Sequence, residues 1–208
     1  MAVTSLATAV AERARPAADP PSARVLAATI ACLGRWGLAK TTLDDIAREA
    51  GLSRATVYRL FPGGKDVVVR AAVGAEVATF EQGLRARLTG LASLEDVLVG
   101  TVTYASATLR QHPALQFLLA HEPEQVLPHL AFDRFEHVLD AAVVMIGPWL
   151  SPHVGPDLAA RAGEWVARLV LSYSLVPSEW FDLGVEDDAR RFTRTYLLPG
   201  LRREPLHG

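Results

Sequence analysis

A single cysteine, Cys32, leaves this 208-residue chain without a partner for an intramolecular disulfide and without the cysteine sets that hold metal clusters. With no disulfide framework, nothing argues for an oxidising compartment. A dominant charge is also lacking: 21 Lys and Arg stand against 23 Asp and Glu, a net charge of −2. Only 21% of residues are charged and 50% are hydrophobic, so the chain can bury a sizeable core and is not a disordered polyelectrolyte. Long apolar runs are scarce. The uncharged stretch Val97–Leu109 has 13 residues, short of the roughly 18 to 20 that a membrane span needs. Met1–Ala11 is Ala-rich but lacks the basic segment that precedes the apolar core of a secretory signal, so a cytoplasmic protein with no membrane partner is expected. Strand-like alternation and internal repeats are absent too, which excludes β architectures and helical solenoids.

What is present is an asymmetry of charge and a succession of helical patterns. Residues 1–70 hold 10 basic and 6 acidic side chains, whereas residues 71–208 hold 11 and 17. The small N-terminal part therefore suits a polyanion partner and the larger part does not. Pro16, Pro20 and Pro21 interrupt a non-periodic opening, so residues 1–20 read as a flexible arm. After a cap at Ser22, the apolar spacing of Val25, Thr29, Cys32, Leu33 and Trp36 predicts an amphipathic helix ended by Gly37, with Cys32 a core thiol rather than a redox centre. Thr42 and Asp45 form a capping-box variant opening a second helix, buried through Leu43, Ile46, Ala47 and Ala50 and stopped by Gly51. Ser53 caps a third helix that ends at Phe61 before Pro62-Gly63-Gly64. Two short helices across a glycine turn make a helix-turn-helix, which places a DNA-binding domain at 21–70. Further helices are expected at 65–89, 94–111, 114–121, 130–150, 157–175 and 186–198, with a break at 151–156, making the whole chain all-α.

On the third helix, Val57 set inward brings Leu60 and Phe61 within about 60° of it and turns Ala55 and Arg59 to the opposite side with Thr56 and Tyr58 flanking them, while Arg54, nearer the buried edge, reaches the same exposed surface through its long side chain in the first turn. A small residue for close approach, arginines whose fork matches guanine O6 and N7, and hydroxyls for base edges or phosphates are what a helix in a DNA major groove requires. The helix starts at Thr42 and at Gly64-Lys65 offer amides and positive dipole ends to phosphates, with Lys65 adding a full charge.

The run from Gly37 to Phe61 (GLAKTTLDDIAREAGLSRATVYRLF) resembles the DNA-binding signature of the TetR family of transcriptional regulators through its Thr-Thr, Ile-Ala, Ala-Gly-Leu-Ser and Val-Tyr elements. The resemblance covers about residues 22–75. It implies an N-terminal three-helix DNA-binding domain followed by a larger helical domain, 71–208, that binds a small-molecule effector and forms a homodimer. It also implies a double-stranded operator as partner, with Thr42, Ser53, Arg54, Ala55, Thr56, Tyr58, Arg59 and Lys65 at the DNA and no cofactor. Two departures are Leu60, where the family often has His or Tyr, and the Pro-Gly-Gly insert that sets Lys65 four residues after Phe61. By the same resemblance the effector cavity would be lined from Tyr104, Phe117, Leu118, Phe132, Phe135, Met145, Trp149, Trp165 and Tyr173. The helices at 157–175 and 186–198 would then form the dimer interface.

A metal-dependent enzyme is the alternative, because His112, His121, His129 and His137 occur with Glu122, Asp133 and Glu136 in one region. The metalloprotease pattern fails there: His121-Glu122-Pro123-Glu124-Gln125 has glutamine where the second histidine belongs. No phosphate-binding loop or nucleophile elbow is present either, and no catalytic residue is assigned.

Overall fold

The computed structural model describes residues 20–126 and 135–202, and it is all-helical over them. The order is α1 (Pro21–Lys40), α2 (Leu43–Glu49), α3 (Arg54–Leu60), α4 (Lys65–Leu88), α5 (Leu94–Gln111), α6 (Pro113–His121), α7 (Phe135–Val154), α8 (Pro156–Leu175) and α9 (Glu186–Phe192). A π-helical turn at Thr193–Leu197 then leads into α10 (Leu198–Arg202). The opening arm lies outside the described residues.

The spacing read in α1 is the spacing that packs: Val25, Thr29, Cys32 and Leu33 are all buried. Burial and the nearby Glu49 carboxylate push the Cys32 thiol up from its ordinary value, which keeps it a protonated core group. The start differs from expectation. Pro21 opens α1 after Pro20 and Ser22 does not cap it, because a proline at the first helical position has no amide to satisfy. Regular helix geometry gives way at Gly37, with φ 80° and ψ 176°, although a further turn reaches Lys40.

Two buried clusters organise the chain. Val25, Ala28, Cys32, Ile46, Ala47, Ala50, Val57 and Val68 form the first, with Trp36, Leu43, Leu52 and Phe61 packed around it. The second joins α5, α7, α8 and the last helical run through residues such as Leu98, Val102, Leu150, Val166 and Leu197. Helix α4 runs unbroken across position 70 and serves both, giving Val68 to the first cluster and Leu84 and Leu88 to the second. Helix α6 lies along α1, and α7 pairs with α8.

The expected break at 151–156 is shorter than the sequence suggested, since α7 continues through Pro148 and Pro152 to Val154. Pro152 forfeits a bond close to the helix end, where carbonyls are already losing partners. Gly155 then turns the chain at φ 79°, with Pro156 opening α8. The last run also departs from a plain helix: Pro199 cannot donate to Thr195 and its ring crowds that carbonyl, and the wide turn at Thr193–Leu197 lies where this strain falls. No helix of the described residues is long and apolar enough to cross a membrane.

Ion pairs tie the elements together. The Arg190 guanidinium bridges Glu95 and Asp96 at the start of α5 to Glu186 of α9, while Arg87 at the end of α4 also reaches Glu186. The Glu186-Asp187-Asp188 cluster therefore opens a helix and engages arginines. Several carboxyls are held below their ordinary range: Asp45 by the Thr42 hydroxyl, Asp96 by Ser93 and Arg190, Asp182 by Arg110, and Glu186 by Arg190 and Arg87. Folded values below the unfolded ones give stability that is complete above the ordinary carboxylate range and is lost as pH falls through the folded values. The thermal midpoint should therefore be level from about pH 8 to about pH 5 and decline below about pH 4. A midpoint that holds steady through acidification would show that these carboxyls do not stabilise the fold.

Candidate nucleic-acid interface

The second helix begins with a complete capping box. The Asp45 amide donates to Thr42 Oγ1 at 3.2 Å, and the Thr42 amide donates to Asp45 Oδ2 at 3.1 Å. The Thr42 hydroxyl donates to the same carboxylate at 2.6 Å, so a phosphate contact through this hydroxyl would compete with Asp45. The turn between α2 and α3 is closed by Gly51 at φ 64° and by a side chain the sequence did not flag: Arg24 of α1 donates to the Ala50 and Gly51 carbonyls. A cation at the C-terminal end of α2 suits its dipole.

The third helix is capped by Ser53, whose Oγ accepts from the Thr56 amide at 3.1 Å and lies 2.9 Å from the Thr56 hydroxyl. Val57 is fully buried beneath it and fixes which face turns outward. Arg54, Ala55, Tyr58 and Arg59 are exposed and Thr56 is half-buried. Leu60, placed inward by its helical angle, is 37% exposed, because α3 is too short for its last turn to be covered by α1 and α2.

Electrostatically the outward side chains are not equivalent. Arg54 Nη1 pairs with Asp44 Oδ2 of α2 at 3.0 Å, a contact between residues ten apart that helix periodicity did not foresee. Both partners are well exposed, and such pairs contribute roughly 0 to 1 kcal/mol, so a phosphate or base edge can displace Asp44. Arg35 pairs with Glu49 and Arg48 with Asp45. Arg59, by contrast, has no ion pair among the described residues. Lys65 is directed elsewhere, its Nζ donating to the Leu38 carbonyl at 2.9 Å in a half-buried contact.

The aromatic and apolar positions considered for a ligand cavity are dispersed. Tyr104 meets the Phe80 ring at a tilt of 46° with its hydroxyl over Gly83, and Phe117 stacks on His121 beside Gly37. Leu118 is half-buried on α6, and Met145 and Trp149 pack against the larger core. Trp165 and Tyr173 border an open groove with Leu169, Trp180, Phe192 and Tyr196. Tyr173 also borders a smaller cleft of about 120 Å³ with Ser106, Arg110, Ser178 and Asp182. Phe132 and the side chain of Phe135 lie outside the described residues. So do His129, Asp133 and the side chain of His137 from the proposed metal region. Among the described residues no group of three His, Cys, Asp or Glu could hold a metal ion. His112 instead caps α6, its Nδ1 accepting from the Leu115 amide and its Nε2 facing Glu76 at 3.2 Å, while His121 Nδ1 lies 2.9 Å from the Phe117 carbonyl.

A capped helix-turn-helix carrying an outward arginine face defines a DNA-binding protein of the helix-turn-helix class. Residues 25–72 match the family model described as bacterial regulatory proteins, tetR family. An uncharacterized HTH-type transcriptional regulator of Mycobacterium tuberculosis is 42% identical over 45 residues, covering 22% of this chain and 24% of that protein. The chain thus matches about a quarter of the length of its curated relatives. The TetR family repressor AlkX from Dietzia sp., implicated in biodegradation of n-alkanes, superposes with a TM-score of 0.60 at 21% identity over 86% of this chain and 94% of its own. The fatty acid degradation regulator FadR from Bacillus halodurans gives 0.58 at 16% identity over 84% and 98%. At these identities the likeness is one of fold. Residues 25–72 thus match the tetR family of bacterial regulatory proteins, and the chain as a whole shares the fold of these regulators.

Because Ser53 supplies the side-chain cap of α3, Ser53→Ala should lower stability by about 0.5 to 2 kcal/mol, whereas Ser53→Asp should retain most of it. Urea denaturation measures both, and equal stability of Ser53→Ala and the parent would show the cap to be dispensable.

Proposed function

We propose that the chain is a cytoplasmic repressor that binds a pseudo-palindromic double-stranded operator as a homodimer and is released by a small, largely apolar effector. Residues 21–70 serve as the DNA-binding domain and 71–208 as the effector-binding and dimerisation domain, behind an arm at 1–20. The observation that carries the reading is the outward face of α3, with Arg59 unpaired among the described residues and Arg54 held only by an exposed, displaceable carboxylate. Two such helices must sit about one helical turn of DNA apart, or a whole multiple of it, to enter successive major grooves.

Pairing is supported by the other end of the chain. Trp165 is 39% and Tyr196 52% exposed, bordering one groove formed by α8, the 176–185 loop and the π-helical turn. Large apolar side chains bared together on the last two helical runs favour a self-complementary twofold contact. The cleft shares Tyr173, Ser178 and Phe181 with that groove, giving an effector a polar end next to apolar walls. Release then follows if the effector binds better to a dimer whose α3 separation no longer fits DNA.

Fluorescence anisotropy with DNA from upstream of the chain's own gene tests the reading. Salt-sensitive, sequence-selective binding is expected, and its absence up to micromolar protein would refute it. Arg59→Ala should cost about 1 to 3 kcal/mol and relax preference at one base pair; an equal loss on every sequence would place Arg59 on a phosphate instead. Trp165→Asp should shift the mass in light scattering from dimer to monomer, and an unchanged dimer would exclude this groove as the interface.

A further inference from the structure

The last turn of α1, after the kink at Gly37, leads into the helix-turn-helix and is gripped from two sides at one residue. Glu122, which follows α6, accepts the Leu38 amide on Oε2 at 2.8 Å and the Ala39 amide on Oε1 at 3.2 Å. From the opposite side Lys65 Nζ donates to the Leu38 carbonyl. Gly37 makes room for the grip: a Cβ there would lie 2.3 Å from Glu122 Oε1 and 3.1 Å from the Phe117 ring. The Thr41 hydroxyl, fully buried, donates to the Gly37 carbonyl at 2.6 Å and carries the constraint to the Thr42 capping box. A carboxylate at the C-terminal end of a helix opposes that helix's dipole, so Glu122 is poorly placed for α6 itself. Its favourable partners are the Leu38 and Ala39 amides, freed from the helix ladder by the kink at Gly37.

We propose that Glu122 is the positioning residue that, through the Leu38 and Ala39 amides, holds the DNA-reading helices at a fixed angle to the C-terminal body, so that DNA affinity depends on this one carboxylate. This rests on the DNA-binding reading above. Without the carboxylate, this turn gains freedom that must be lost again when two α3 helices dock in register. Charge alone predicts the opposite outcome, because removing an acid near a polyanion site strengthens binding.

The test uses the full chain and three variants, Glu122→Ala, Glu122→Gln and the exposed neighbour Glu124→Gln, with anisotropy on the upstream DNA and hydrogen exchange at individual amides. In Glu122→Ala the Leu38 and Ala39 amides should exchange about tenfold faster or more, and DNA affinity should fall about fivefold or more. The salt slope should stay unchanged, since Glu122 touches no phosphate. Glu122→Gln keeps one acceptor oxygen and should show the same changes to a smaller degree, which also covers the case of Glu122→Ala failing to fold. Glu124→Gln should bind as the parent does or slightly tighter. Unchanged amide exchange, or parental or stronger DNA binding in both Glu122 variants, would overturn the proposal. Failure of the parent chain to bind any DNA would instead overturn the functional reading on which it rests.

Discussion

The close approach of α1 and α6 is the constraint on which the arrangement of the molecule depends. Gly34 and Gly37, three residues apart on α1, put no side chain of their own toward α6; a Cβ at Gly34 would sit 3.2 Å from the Ala114 amide nitrogen. That absence lets the start of α6 press against α1 and lets Glu122 at its other end reach the backbone after Gly37. Helix α6 belongs in sequence to the larger part of the chain, while α1 is the central wall of the helix-turn-helix cluster. The two parts are therefore joined twice, by this contact and by the continuous α4.

Around that junction the polar groups divide into those that build the helix-turn-helix backbone and those left free on the outward face of α3. Asp45, Ser53 and Arg24 are consumed in capping α2 and α3, which fixes the backbone. Arg54 is loosely restrained by Asp44, and Arg59 has no counterpart among the described residues. A surface whose cations are weakly committed keeps its charge available to a polyanion, whereas one laced with buried pairs does not. The opposite holds at the far end, where Arg190 is committed to three carboxylates and ties α9 to the start of α5.

Much of the fold was legible because it is written in short-range patterns. The capping box at Thr42, the Ser53 cap, the glycine turn at Gly51 and the buried stripe of α1 are each set by residues within a few positions of one another. Helix ends near prolines were less legible. Pro21 could begin α1, where the first amides have no helical partner anyway, and Pro152 could remain in the last turn of α7 at the loss of one bond; sequence does not say where either terminus falls.

The sequence by itself determined that the chain is helical, that α3 turns Ala55, Tyr58 and Arg59 away from Val57, and that its neighbour is a capped partner helix. Only the tertiary structure decided that Asp44 meets Arg54, that Lys65 turns to the Leu38 carbonyl, and that Glu122 crosses more than eighty positions to hold the turn before Thr42. The difference is one of range. Periodicity and caps are fixed by neighbours along the chain, but a charged side chain chooses among every group that packing brings within about 3 Å, and packing is set by the whole fold.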